Sequence, residues 1–359
     1  MAIDKDTLYR LTTEEDLPEL DLSWLKPEDR ARVEATRLRP GRKGLTLDLL
    51  EAGQELPDAS DDYSARPRGA ERHPAAARHN LYYPLRHETW SDNVRLLYEE
   101  AVQRQWSSAT DIPWHTLRPL PDDVERAWCQ FATFLTEVEF IAGDTPGQWL
   151  ERINPEWYEV KLFLLTQIMD EARHLDVFRK RALANGGGLL MESGGGGLRI
   201  ILECQDFSEF SAIMHVFAEA LVQTLFRSGE ALAYNEAEKA IFRLCAQDES
   251  RHIAFGVMHL KHILETQPWR REEIHYYLDK IEGPLALDMQ SGASANAPLF
   301  DEAIMVLAGG GRKNIDKGFD FLMNLRRRQV MEYLHRLEVA GLPERRYRMN
   351  PTLRAFIET

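Results

Sequence analysis

Two short segments repeat one pattern, Asp170-Glu171-Ala172-Arg173-His174 and Asp248-Glu249-Ser250-Arg251-His252. On a helix, a Glu and a His three positions apart share a face, so each pair can offer a carboxylate oxygen and an imidazole nitrogen to one metal ion. The spacing alone is weak, because Glu272/His275 and Glu332/His335 show it too. A bundle that holds two ions needs more: a lone Glu on each of two neighbouring helices, level with the Glu-x-x-His pairs. Glu139 stands 171 − 139 = 32 residues before Glu171, with the Asn154-Pro155 break about halfway. Glu219 stands 249 − 219 = 30 residues before Glu249, with Tyr234-Asn235 close to the middle. Antiparallel helices therefore bring each lone Glu beside its pair.

The other two pairs fail this test. Glu302 precedes Glu332 by 30 residues, but the Gly309-Gly310-Gly311 break leaves 8 residues on one side and 21 on the other. At about 1.5 Å of rise per residue the two carboxylates stand roughly 20 Å apart along the bundle. Glu272 has only Glu265 before the Gln267-Pro268 break. Both pairs are expected on the surface.

Burial patterning favours the same six residues. Leu164, Ile168, Glu171, His174 and Phe178 form one helical stripe, as do Cys245, Glu249, His252 and Gly256. Ala132, Leu135, Glu139 and Ala142 form another, and so do Ala212, His215, Glu219, Val222 and Phe226. Glu137 lies two residues from Glu139 and points to the opposite face, so Glu139 is the expected ligand. Carboxylates among apolar residues need a cation or a proton to compensate them. Four carboxylates and two imidazoles suit iron or manganese better than zinc, which more often recruits thiolates. Asp170, Arg173, Asp248 and Arg251 are placed to orient the histidines. His215 and Gln223, one turn either side of Glu219, are further candidates for the surroundings of the ions.

The elements that must position these residues are helical. Apolar periodicity of about 3.6 marks segments near 121–144, 155–185, 198–233 and 236–265, and the first helical signal is Val94-Leu97-Tyr98-Ala101-Val102. The fold class is all-α: a four-helix bundle over 91–265, with helices near 269–290, 298–308 and 312–340 packed on it as a C-terminal part, 266–359. Residues 1–90, rich in charge, Pro and Gly, are expected as a largely irregular N-terminal arm. The glycine-rich stretch 186–197 lacks the Lys-Ser/Thr of a phosphate loop and is expected as a flexible crossover.

Composition removes whole classes of function. A formal charge of −14 argues against a nucleic-acid partner, and Arg326-Arg327-Arg328 is expected as a solvated face. The absence of a long apolar run or signal-peptide core makes a cytoplasmic location, away from membranes, the default expectation. Cys129, Cys204 and Cys245 form no Cys-x-x-Cys pair and are expected as reduced core thiols.

The doubled Asp-Glu-x-Arg-His with a Glu about 30 residues upstream resembles the carboxylate-bridged di-iron proteins of the ferritin-like, ribonucleotide-reductase-like superfamily. Within it, the pattern looks like the hydroxylase subunits of multicomponent monooxygenases and like acyl-carrier-protein desaturases. Tyr98-Glu99 through Trp106, then Asp111-Ile112-Pro113-Trp114, is similar to the entry helix of the ligand-binding oxidases that hold manganese and iron. The resemblance covers about residues 95–265. It implies a ferritin-like bundle holding two iron ions, or a manganese–iron pair, with O2 as co-substrate. It further implies a small or medium apolar organic substrate that is hydroxylated, N-oxygenated or desaturated, and a separate electron donor such as a reductase or ferredoxin; a homodimer is compatible with it. The alternative is a ferroxidase or metal-binding role of the ferritin kind. Phe178 stands where radical-forming relatives carry Tyr, and Gln223 where the monooxygenases carry Thr. His215 resembles the third histidine of di-iron arylamine oxygenases.

Overall fold

The computed structural model describes residues 5, 6, 9, 38–60, 65–76, 83–193, 196–290 and 299–358. Most of the expected N-terminal arm before residue 38 lies outside them, as do residues 194–195 of the expected crossover. Chain contacts divide the molecule into Met1–Ala52 and Gly53–Thr359. In the first unit the described residues include the helical turn Leu47–Leu50 and an antiparallel bridge between Gly41 and Gly44. No other strand pairing occurs among the described residues, and no helix among them is long and apolar enough to cross a membrane.

The second unit is built from helices whose ends are written in the sequence. After α1 (Val94–Gln103) comes α2 (Asp122–Gly147), whose first turn carries Asp122, Asp123 and Glu125 against the positive end of the helix dipole. Asn154 accepts a hydrogen bond from the Glu156 amide and so caps the tight turn Pro155–Trp157 that leads into α3 (Tyr158–Ala184). Asn235 likewise caps α6 (Glu236–Thr266) by accepting from the Glu238 amide.

Between these, the expected continuous segment 198–233 is broken. A first helix, Gly196–Leu202, stops, and Asp206 restarts the chain by accepting from the Ser208 and Glu209 amides. The periodicity hid this break, because an Asp in a run of polar residues breaks no apolar stripe. From there α4 (Phe207–Phe210) runs through a π-helical segment (Ser211–Ala218) into α5 (Glu219–Ser228). π-turns inside helices concentrate at functional sites. Two outer helices follow α7 (Arg271–Gln290): α8 (Leu299–Gly309) and α9 (Ile315–Ala340). Their joint needs glycine, with Gly310 at φ 72° and Gly311 at φ 125°.

In packing, α2 lies along α3, α5 and the π-helical segment lie along α6, and α3 meets α6 across the centre. α1 leans on α3, and α9 covers α5 and α6. Two apolar clusters result. Along α2, Glu139 separates Leu135 of one cluster from Ala142 of the other, and on α3 Glu171 and His174 separate Val177 from Leu164. On α6, Glu249 and His252 fall between Ala246 and Ile253. A layer of ionisable groups thus lies between two apolar cores, which burial physics allows only with strong compensation.

Candidate metal centre

The side chains in this layer form two overlapping groups, Glu139, Glu171, His174 and Glu249 in one and Glu171, Glu219, Glu249 and His252 in the other. Within each group one ligand atom per residue lies within 4.8 Å of all the others, and every member is buried. Glu171 and Glu249 belong to both groups, so each can bridge two ions. Glu139 with His174 completes one position, and Glu219 with His252 completes the other.

The histidine rings show how the layer is oriented. His174 turns Nδ1 inward, 3.2 Å from Glu171 Oε2 and 3.3 Å from Glu249 Oε1. His252 Nδ1 lies 3.1 Å from Glu171 Oε1 and 3.5 Å from Glu249 Oε2. Each ring's outer nitrogen reaches the opposite helix: His174 Nε2–H faces Asp248 Oδ2 at 3.3 Å, and His252 Nε2–H faces Asp170 Oδ2 at 3.2 Å. Arg251 donates to Asp170 at 2.8 Å and to Asp248. Arg173 donates to Asp170 and, at 3.2 Å, to Asp248. The aspartates thereby fix the ring tautomers with Nδ1 free to bind a cation, and the arginines fix the aspartates. Trp106 joins one side of this arrangement, its indole N–H donating to Asp248 Oδ2 at 2.7 Å and its ring stacked on His174.

What the inward atoms lack is a partner. Glu139 Oε1, both oxygens of Glu171, Glu219 Oε2, Glu249 Oε2, and Nδ1 of His174 and of His252 are all buried without a hydrogen bond. Each such atom costs about 1–3 kcal/mol, and more when charged, so their convergence on one volume fits cations held there. Electrostatics point the same way. Burial pushes the Glu139 and Glu219 carboxyls well above their ordinary range. Burial also disfavours the Glu171 carboxylate, but the positive charges of His252 and His174 beside it hold it low. Both imidazoles are driven well above their ordinary range against the effect of burial, His174 by Cys245, Asp248 and Glu139, and His252 by Glu171, Glu219 and Asp170. The layer draws positive charge, whether as protons or as metal.

The remaining sequence candidates separate cleanly. Glu137 lies off the site and accepts from the Ser193 amide and hydroxyl, both at 2.9 Å. His215 is fully buried but absent from both ligand groups; its Nδ1 faces Ser211 Oγ at 3.1 Å and its Nε2 faces Gln167 Oε1 at 3.2 Å. Gln223 does not join the surroundings of the histidines: it donates to Ser250 Oγ at 2.7 Å and accepts from Arg336, contacts that lead away to α9. Of the two decoy pairs, His335 is exposed, whereas His275 is fully buried with its ring against Glu344 and Arg345 while Glu272 turns out to Arg348. The expectation of a surface pair at Glu272/His275 thus fails for the histidine, because α7 is covered by the C-terminal turn Arg345–Arg348, which the spacing argument did not place.

Two further residues lie close to the layer: Gln167, which the sequence reading does not name, and Cys245, which it places on the Glu249 stripe as a core thiol. Gln167, fully buried, donates to Glu219 Oε1 at 2.9 Å. It stands one turn before Glu171 on the same stripe, a signal that was present. Cys245 stands near His174, and burial pushes its thiol up to about 12.

No protein-family model and no curated protein matches the chain. Among solved structures it is similar to a mutant R2-like ligand-binding oxidase with an aerobically reconstituted Mn/Fe cofactor. The match has a TM-score of 0.50 at 17% identity, and covers 70% of this chain and 94% of that one. The fold is ferritin-like. At that identity the likeness speaks for architecture alone, and the chemistry rests on the residues.

Proposed function

We propose that this chain is a di-metal oxidoreductase that holds two iron ions, or a manganese and an iron ion, and uses O2 to oxidise a small or medium apolar organic molecule. The observation that carries this is the set of unpartnered carboxylate and imidazole atoms meeting in one buried layer. The Mn/Fe cofactor of the structurally similar oxidase is compatible with the same donor set. Glu171 and Glu249 would bridge the ions, with Glu139 and His174 terminal on one and Glu219 and His252 on the other. When bound, the metal pair supplies the electrons that reduce O2 and the oxidising power that follows.

The protein's own contribution is position and exclusion. Asp248 and Asp170 hold the two rings in the tautomer that leaves Nδ1 free. Phe163 meets His252 edge-on, Phe226 meets His174 edge-on, and Trp106 stacks on His174, so water is kept from the imidazole faces. Electrons for repeated turnover come, on this proposal, from a separate donor protein or from the substrate.

The test is anaerobic loading with Fe(II), followed by metal analysis and Mössbauer spectra before and after O2. The expected outcome is two iron ions per chain, both oxidised by O2, with the content fixed at two through repeated Fe(II) and O2 cycles. Iron that accumulates beyond two per chain would favour the storage alternative. No bound metal would end the proposal.

A further inference from the structure

The Asp-Glu-x-Arg-His repeat relates the two halves of the layer, α2 with α3 and α5 with α6, position for position. Four residues before the bridging Glu, the repeat places Gln167 in one half and Cys245 in the other. Gln167 donates at 2.9 Å to Oε1 of Glu219, the lone Glu supplied by the opposite half, whereas Cys245 makes no such hydrogen bond to Glu139 among the described residues and stands near His174. The chemistry differs. A primary amide is a strong donor, whereas a buried thiol is a weak one. Among the described residues Glu139 Oε1 accepts no hydrogen bond, and its Oε2 lies 3.7 Å from His174 Nδ1.

The Gln167 amide is itself held. Four residues before the lone Glu, the repeat places His215 in one half and Leu135 in the other. Ser211 Oγ–H donates to His215 Nδ1 at 3.1 Å, which leaves the Nε2–H to donate to Gln167 Oε1 at 3.2 Å. With its carbonyl taken, the amide can turn only its N–H toward Glu219. His215 is fully buried, and burial holds its ring well below the ordinary range, so it stays neutral as this chain of donors requires. The π-helical segment carries Ser211 and His215 and delivers Glu219 at its end.

We propose that Gln167, fixed by His215 and Ser211, is a positioning residue that occupies one oxygen of Glu219 and so makes the Glu219/His252 metal position depend on an outer hydrogen bond that the Glu139/His174 position does without. Glu219 is thereby left one free oxygen, Oε2, for its ion, while Glu139 keeps both. The two positions are chemically unequal, and the inequality resides in Gln167 and His215 rather than in the ligands. This proposal rests on the metal assignment above.

The experiment is anaerobic titration of the full chain with Co(II), followed by visible absorption and calorimetry, on wild type, Gln167→Leu, Gln167→Met and His215→Gln. Melting of each chelator-treated variant separates loss of fold from loss of affinity, and Gln167→Met, close in volume, serves if Gln167→Leu fails to fold. Wild type is expected to bind two equivalents. Both Gln167 variants are expected to keep the first equivalent within about threefold while the second weakens about 10–100-fold, the usual effect of removing an outer hydrogen bond to a ligand. His215→Gln, whose amide can replace the ring N–H, is expected to retain most of the second equivalent. Two equivalents of unchanged affinity in the Gln167 variants, or equal weakening of both, would overturn the positioning role and leave the metal assignment standing. Failure of wild type to bind Co(II) would overturn both.

Discussion

The α2–α3 half and the α5–α6 half contribute the same carboxylates and imidazoles to the buried layer and differ in nearly everything around them. Both supply a lone Glu, a bridging Glu, a His, and an Asp and Arg that lock the opposite ring. Four residues after each His, however, stands Phe178 in one half and Gly256 in the other, and ten residues after each bridging Glu stands Arg181 or His259. The shared positions are those that the proposed pair of cations would constrain from both sides. The others answer to whichever neighbour each half happens to pack against, so duplication of the motif does not duplicate its environment.

The sharpest way to break this comparison is to remove ligands one at a time. Glu171→Ala takes a donor from both positions, so both metal equivalents are expected to be lost, with affinity falling by more than the roughly 100-fold that removal of an outer partner costs. Glu139→Ala and Glu219→Ala are each expected to lose one equivalent and keep the other. Metal analysis after anaerobic Fe(II) loading and gel filtration reads all three. Retention of two ions by Glu171→Ala would show that the bridging assignment is wrong.

How much of this was legible before any coordinates follows the same division. The six carboxylate and imidazole positions that meet in the buried layer could be read because a bundle imposes two conditions at once, helical spacing within a segment and equal height across a turn, and chance pairs such as Glu332/His335 fail the second. The helix ends at Asn154, Asn235 and Gly309-Gly310-Gly311 were legible for a related reason, since caps and left-handed glycines act locally. What was not legible depends on contacts between distant segments. Gln223 faces Ser250 and Arg336 rather than the ions because α9 packs on α5, and nothing in the local pattern positions α9. The π-helical segment was hidden too, because Ser211–Ala218 is apolar nearly all round and has no stripe for the widened turns to displace. Glu137 and Glu139 were told apart by helical face alone, and the structure places Glu139 in the buried layer and Glu137 on Ser193.

Packing beyond the histidines offers a smaller contrast. Phe178 is fully buried and packs on Phe226 with ring centroids 5.5 Å apart, so Phe178→Ala is expected to cost about 3–5 kcal/mol through the cavity it leaves. Gly256 has the opposite need. A Cβ there would lie 2.4 Å from His215 Cβ and 3.2 Å from Val216 Cγ2, because α6 and the π-helical segment approach backbone to backbone. A Cβ cannot rotate away, so Gly256→Ala must push the two elements apart, at about 1–3 kcal/mol for an overpacked core. Urea unfolding of chelator-treated protein measures both. A neutral Gly256→Ala would mean that His215 is not seated against α6 as described.

The smallest expected effect separates the far ends of the two halves. Arg181 is fully buried between Glu125 and Glu238 and remains charged at every accessible pH. Its counterpart His259 is buried with no charged partner, its Nδ1–H donating to the Trp90 carbonyl at 2.8 Å and its Nε2 accepting from Ser208 Oγ at 3.0 Å. Burial lowers its pKa from the ordinary 6.5 to about 3. Above 6.5 the ring is neutral whether the chain is folded or not, so it adds no pH dependence there. Between 6.5 and about 3 the unfolded chain binds a proton that the folded chain refuses, so stability contributed by this neutral ring falls as the pH falls through that window. One such proton corresponds to a slope of about 1.4 kcal/mol per pH unit once the pH is well below the unfolded value. His259→Gln keeps a donor and an acceptor but cannot titrate, and is expected to flatten the acid limb of the stability curve by that amount while lowering stability at pH 7.5. Urea titrations of chelator-treated wild type and variant at pH 7.5, 6, 5.25 and 4.5 give the two slopes. Identical slopes would place the acid sensitivity elsewhere and remove His259 as the neutral counterpart of Arg181.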